Sequence, residues 1–172
     1  MDADKSILDL DKVESYAKEL GIKYHGCSQM SLKALQDSLG LEDGGAFKAA
    51  SALAGGVARG GEVCGALLGA LMAVSLVFGR DRLEPANDSP KYSKALEVGT
   101  KVFDEFKNLY GSVRCRDIQV RLFGRHYDLR NPKEREEFSS SGNRDKCSEV
   151  IAVAARIAAK AIIDAGFNIT PR

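Results

Sequence analysis

Between Gly60-Gly61 and Gly79 the chain runs almost without a charge, and residues 66–78 interrupt their apolar character only at Gly69 and Ser75. A helix over 62–78 is therefore apolar nearly all round, and such a helix needs cover on all sides from other elements. The run is too short to cross a bilayer, which takes about 20 apolar residues. It reads as the central, buried helix of a water-surrounded bundle, with no membrane insertion. Nothing elsewhere shows the strict alternation of a half-buried strand, and no repeat recurs at a fixed period. The expected fold class is all-α: a compact helical bundle, one domain over 1–172.

The flanking sequence supplies the other helices. Ile7, Leu10, Val13, Ala17 and Leu20 fall at three- and four-residue spacing, predicting a helix over 7–20 stopped by Gly21. Met30, Leu32, Leu35 and Leu39 predict a second over 28–39, closed by Gly40. A short third covers 46–54 and ends at Gly55-Gly56. Residues 80–91 contain Pro85, Asn87, Asp88 and Pro90 and read as a surface loop, after which 92–110 form an amphipathic helix. Ser112 is placed to cap a short helix from Val113, and 143–145 to cap one that continues through the alanine-rich 150–163. Between these two, 130–144 are polar and read as a mobile loop with a brief helix at 133–138.

On this plan Cys27, Cys64, Cys115 and Cys147 each fall in or just before the first turn of a helix. Unpaired N–H groups and a partial positive charge at that end favour the thiolate, the form that binds metal or attacks a disulfide. None of them forms a Cys-x-x-Cys pair, so a thioredoxin-like site, a zinc ribbon and a c-type haem attachment lose support. Four helix ends converging on one place would suit an anionic iron–sulfur cluster. Four small buried hydrophobes are the plain alternative. Around Cys64, Gly60, Gly61 and Gly65 would let backbone approach a cofactor, and Arg59 would balance its charge or lower a thiol pKa. Gly69 with Ala73 reads as close helix packing. The glycine-rich 55–61 stretch is neither a Walker loop nor a dinucleotide fingerprint.

His25 stands two residues before Cys27 as a candidate replacement ligand or proton donor; His126 lies in a polar stretch. Arg114, Arg116, Arg121, Arg125 and Arg130 read as a solvated basic face, or as a dock for an acidic redox partner. With 25 Lys and Arg against 24 Asp and Glu, the chain has no general pull towards nucleic acid or anionic lipid. The first ten residues lack the basic and apolar regions of a secretory signal, so the expected location is cytoplasmic.

The order of these residues resembles the C_GCAxxG_C_C family of redox-active proteins. It runs from Cys27 through Gly55-Gly56, Arg59-Gly60 and Cys64-Gly65-Ala66-Leu67-Leu68-Gly69 to Cys115 and Cys147. The resemblance maps the family's cysteines onto Cys27, Cys64, Cys115 and Cys147, and its glycines onto Gly65 and Gly69. It implies a small, mainly helical prokaryotic redox protein, similar to a domain of split-Soret cytochromes that is associated with an iron–sulfur centre. The haem motif of those proteins is missing here. The expectation is electron transfer through a cluster on the four cysteines, with a redox protein partner and a second copy of the chain in a homodimer. Two alternatives stay open: a thiol–disulfide oxidoreductase or sensor using the same thiols, and a zinc-binding structural or interaction module.

Overall fold

The computed structural model describes residues 8–169. Among them the chain forms eight α-helices and two 3-10 turns, with one isolated bridge, Val63 to Arg114, as the only β pairing. Asp9 starts α1 (Leu10–Tyr24) by accepting hydrogen bonds from the N–H groups of Asp11 and Lys12. Gly21 does not end this helix. It is buried in it, and a Cβ there would meet the Ser148 hydroxyl at 2.6 Å. Its smallness serves helix approach, and the stop falls at His25 and Gly26, both at positive φ. Ile7, the first residue of the expected stripe, lies outside the described residues.

After α2 (Cys27–Leu39), α3 (Gly44–Ala49) runs into the 3-10 turn Ala50–Leu53. The apolar run becomes α4 (Gly65–Phe78), and α5 (Pro90–Tyr110) begins with Ser89 accepting from the Tyr92 N–H. α6 (Cys115–Phe123), α7 (Pro132–Ser139) and α8 (Asn143–Asp164) complete the chain. The all-α class is as the sequence implies. α4 is buried through most of its first half, but Ser75 is exposed and Leu76 is 36% exposed, so its outer face is uncovered near the C-terminal end. α8 packs chiefly against α1, α2, α4 and α5, with α7 at its edge, and buries Ile151, Ala155, Ile157, Ala158 and Ile162. Alanines let it sit there, because short side chains allow four neighbours to approach one axis.

The α2–α4 crossing is equally tight. A Cβ on Gly69 would overlap the carbonyl oxygen of Ser28 and approach the Leu32 N to 3.0 Å, so this glycine is required by packing, as expected. Salt bridges from Arg156 to Asp11 and Glu14, the latter 2.7 Å, help hold α1 on α8. A smaller apolar cluster of Tyr127, Leu129 and Phe138 sits apart from the main core, with Phe123 and Cys147 packed on it. No helix among the described residues is long and apolar enough to cross a membrane.

A candidate redox centre

The segment between α3 and α4 contains the most unusual backbone in the chain. Gly55, Gly56, Val57, Ala58 and Arg59 all have φ between 49° and 75°, a left-handed turn in which three residues carry a Cβ. Each such residue costs about 1–2 kcal/mol relative to right-handed backbone. Hydrogen bonds from the Ala58 N–H to the Ala52 carbonyl (2.7 Å) and from the Glu62 N–H to the Gly56 carbonyl (2.9 Å) close the turn on itself. Side chains then hold it from outside. Arg116 donates to the carbonyls of Gly60 (3.0 Å) and Gly61 (3.2 Å), and Arg130 donates to that of Ala58 (3.3 Å).

This turn is stapled to the start of α6. The Cys64 N–H donates to the Val113 carbonyl at 2.8 Å, and the Cys115 N–H donates to the Glu62 carbonyl at 2.6 Å. Arg114 and Arg116 both pair with Glu62, at 2.8 and 2.6 Å. Arg121 donates to the Leu109 carbonyl, and Arg125 pairs with Glu134 and Glu137. The arginine-rich segment expected to be a solvated face or a partner dock is therefore largely engaged within the chain. It fixes Cys64 and Cys115 relative to each other.

Cys27 is the first residue of α2, Cys64 the N-cap of α4 and Cys115 the first residue of α6. Cys147 departs from the expectation: α8 starts earlier, at Asn143, which places this cysteine in the second turn. All four line one cavity of about 300 Å³, together with His25, Arg59, Gln119, Arg135 and Arg144 and an apolar wall that includes Ile118, Phe123, Leu129 and Phe138. α7, at the place of the expected brief helix, is part of that wall, with Phe138 set 5.3 Å from Phe123, edge to face. Gly65 shapes the cavity from behind. A Cβ there would overlap the Cys27 Sγ and lie 3.1 Å from the Leu53 carbonyl oxygen. Gly60, Gly61 and His126 do not line the cavity; a Cβ on Gly61 would come within 3.4 Å of the His126 Nε2.

All four cysteines are free thiols. Burial pushes the Cys115 thiol up to about 11 and the Cys147 thiol up to about 12, and raises Cys27 and, further, Cys64. The sequence implied the opposite direction from the helix ends. Those ends do act, since the N–H groups of Gly55, Ser28 and Gly65 pull Cys27 down and those of Ala66 and Leu67 pull Cys64 down, but desolvation outweighs them. The thiols also disfavour one another's ionisation, Cys27 acting on Cys64, Cys115 and Cys147. Gln119, which the sequence reading passed over, is 2% exposed and donates from Nε2 to the Cys115 Sγ at 3.4 Å. Its Oε1 accepts the Tyr127 N–H at 2.8 Å, which fixes the orientation of the amide. No cue in residue type marks it, because its role depends on a fold contact.

Among the described residues no three of His, Cys, Asp and Glu stand close enough to hold one metal ion. The thiols surround a space. As a donor set for a cluster they fit: four soft sulfurs, backbone N–H groups directed at two of them, and no carboxylate in the lining.

An uncharacterized protein of Archaeoglobus fulgidus is 26% identical over 160 residues, covering 91% of this chain and 97% of its own length. No solved structure matches. Residues 25–161, which carry all four cysteines, match the family described as putative redox-active protein (C_GCAxxG_C_C), and the chain belongs to that family.

Proposed function

We propose that the protein transfers electrons one at a time through an iron–sulfur cluster held by Cys27, Cys64, Cys115 and Cys147, exchanging them with a redox protein partner. The observation that carries this reading is that four cysteines remote in sequence line one cavity that no carboxylate enters. Buried thiols that disfavour each other's ionisation stay protonated unless a cation compensates them, and metal binding displaces those protons. A bound cluster would supply reversible one-electron chemistry. The chain's part is to fix the sulfurs, to aim N–H donors of Gly55, Gly65, Ala66 and Gln119 at them, and to keep water away with Phe123, Leu129 and Phe138.

A cavity of about 300 Å³ lined by all four thiols has room for a guest of several atoms. A thiol–disulfide enzyme needs one thiol ionised near neutral pH, and burial moves all four the other way. The test is anaerobic purification of the full chain, followed by visible absorption and assay of iron and acid-labile sulfide. Brown protein containing both, lost in Cys64→Ser with helical circular dichroism retained, is the expected result. Colourless protein, still lacking both after incubation with ferrous iron and sulfide, overturns the proposal.

A further inference from the structure

Every charged side chain that lines the thiol cavity is cationic. Arg59, Arg135 and Arg144 contribute guanidinium groups, and no Asp or Glu is present. Arg135 donates to the Leu129 carbonyl at 3.0 Å, but Arg59 and Arg144 have no side-chain hydrogen bond or ion pair among the described residues. Arg59 and Arg144 are exposed, whereas Cys64 at the cavity's inner end is 7% exposed, so the two arginines stand towards the solvent side. Arg114, Arg116, Arg121 and Arg125, around Cys115, are by contrast tied to carboxylates or carbonyls. A further polar group is left open: the Nε2 of His25, which lines the cavity, is buried without a hydrogen-bond partner.

We infer that the cavity admits a small anionic reactant, drawn in past Arg59 and Arg144 to the sulfur site. This rests on the reading of the four cysteines as the working centre and adds to it a selectivity for the sign of charge. Unpaired cations around a low-dielectric recess focus field lines and raise the local concentration of anions. At about 300 Å³ the space is at the lower end of small-molecule sites even before a cluster takes its share, which limits the reactant to a few heavy atoms and excludes a protein segment. The apolar wall of Phe123, Leu129 and Phe138 lowers the local dielectric and strengthens the arginines' pull.

The experiment compares alkylation of the metal-free full chain, shown to be folded by a cooperative thermal melt, with iodoacetate, an anion, and iodoacetamide, its neutral counterpart. Each reaction forms one sulfur–carbon bond, expels iodide and releases the thiol proton to the buffer, so the two differ only in charge. The iodoacetate-to-iodoacetamide rate ratio, referred to the same chain in urea, is expected to be raised about 3- to 10-fold at low salt. It should collapse towards the urea value near 1 M salt, where the Debye length is about 3 Å. Arg59→Gln with Arg144→Gln should remove most of the preference while the melt is unchanged. A ratio equal to that in urea, or one that survives both substitutions, overturns the inference. Where the purified protein holds a cluster that blocks its thiols, the rate at which the anion ferricyanide oxidises the reduced protein is expected to fall with added salt and in the double variant; a rate unmoved by both overturns the inference. Cluster analysis and charge selectivity fail separately: brown protein without anion preference refutes only this inference, and anion preference in a protein that never takes up iron refutes only the cluster.

Discussion

Gly65 and Gly69 occupy one face of α4, one turn apart, yet alanine at the two positions should fail in different ways. A Cβ on Gly69 meets backbone: the Ser28 carbonyl lies inside contact distance, and the Leu32 N is at 3.0 Å. Backbone cannot rotate aside, so α2 and α4 must separate along a crossing that buries Leu32, Leu35, Leu67 and Val74. Overpacking of this kind costs about 1–3 kcal/mol or more, offset by about 1 kcal/mol of helix propensity gained on replacing glycine. A net loss of about 2 kcal/mol lowers the melting temperature by roughly 4–8 °C for a chain of this size. On Gly65 the nearest atom is the Cys27 Sγ, a side chain that can turn away, while the Leu53 oxygen at 3.1 Å and the Ala54 Cα at 3.2 Å need give only slightly. The thiol's rotation abandons the N–H groups of Gly55 and Gly65 that act on it. Gly65→Ala should therefore melt within about 1 kcal/mol of the parent, yet show a changed alkylation rate at Cys27 and, on the proposed cluster reading, take up less iron than the parent. Thermal melts paired with iron analysis and peptide mass spectrometry separate the two variants. Normal iron content in Gly65→Ala, or a melt as low as that of Gly69→Ala, would refute the assignment of Gly65 to the sulfur site.

Other outcomes follow from the same geometry. Val57 is a β-branched residue at φ 60° and 40% exposed, so Val57→Gly relieves strain at little cost in packing. It should stabilise the chain by about 0.5–1 kcal/mol in urea titration, and a destabilised variant would mean that the turn stores no strain there. Gln119→Leu leaves the buried Tyr127 N–H and the Cys115 sulfur without their partner, at a cost of about 1–3 kcal/mol; a neutral melt would sink this role. In the metal-free chain the Cys115 and Cys147 thiols titrate near 11 and 12 when folded, above their unfolded values. The unfolded state therefore releases protons first, and stability is full below about pH 8.5 and falls as pH rises towards 11–12, by up to about 1.4 kcal/mol per unit for each thiol. Urea midpoints unchanged between pH 8 and 10.5 would contradict the burial of these groups.

Much of the fold could be read from spacing alone. The stripes of α1, α2 and α5 and the apolar run of α4 follow from helical periodicity, which is local and survives without knowledge of neighbours. Gly21 misled because a glycine that ends a helix and one that admits a neighbour look the same in sequence; only Ser148 distinguishes them. The start of α8 was read late for a related reason. Gly142 at φ 82° precedes the helix, and Asn143 to Lys146 already belong to it, although their polarity resembles a loop.

The sequence by itself determined the pattern that places the chain in its family: four cysteines in a fixed order, a glycine after the second, and an arginine among glycines. It also determined the helical class, because apolar periodicity commits each segment before any contact forms. Tertiary structure alone decided the rest. The left-handed turn at residues 55–59 persists because Arg130 binds the Ala58 carbonyl and Arg116 the carbonyls of Gly60 and Gly61 just beyond it, and Gln119 reaches Cys115 only once α6 is in place. The direction of the thiol pKa shifts was likewise beyond the sequence. Helix ends are local and favour the thiolate, whereas desolvation depends on every element packed around the sulfur, and here the packed surroundings have the larger effect.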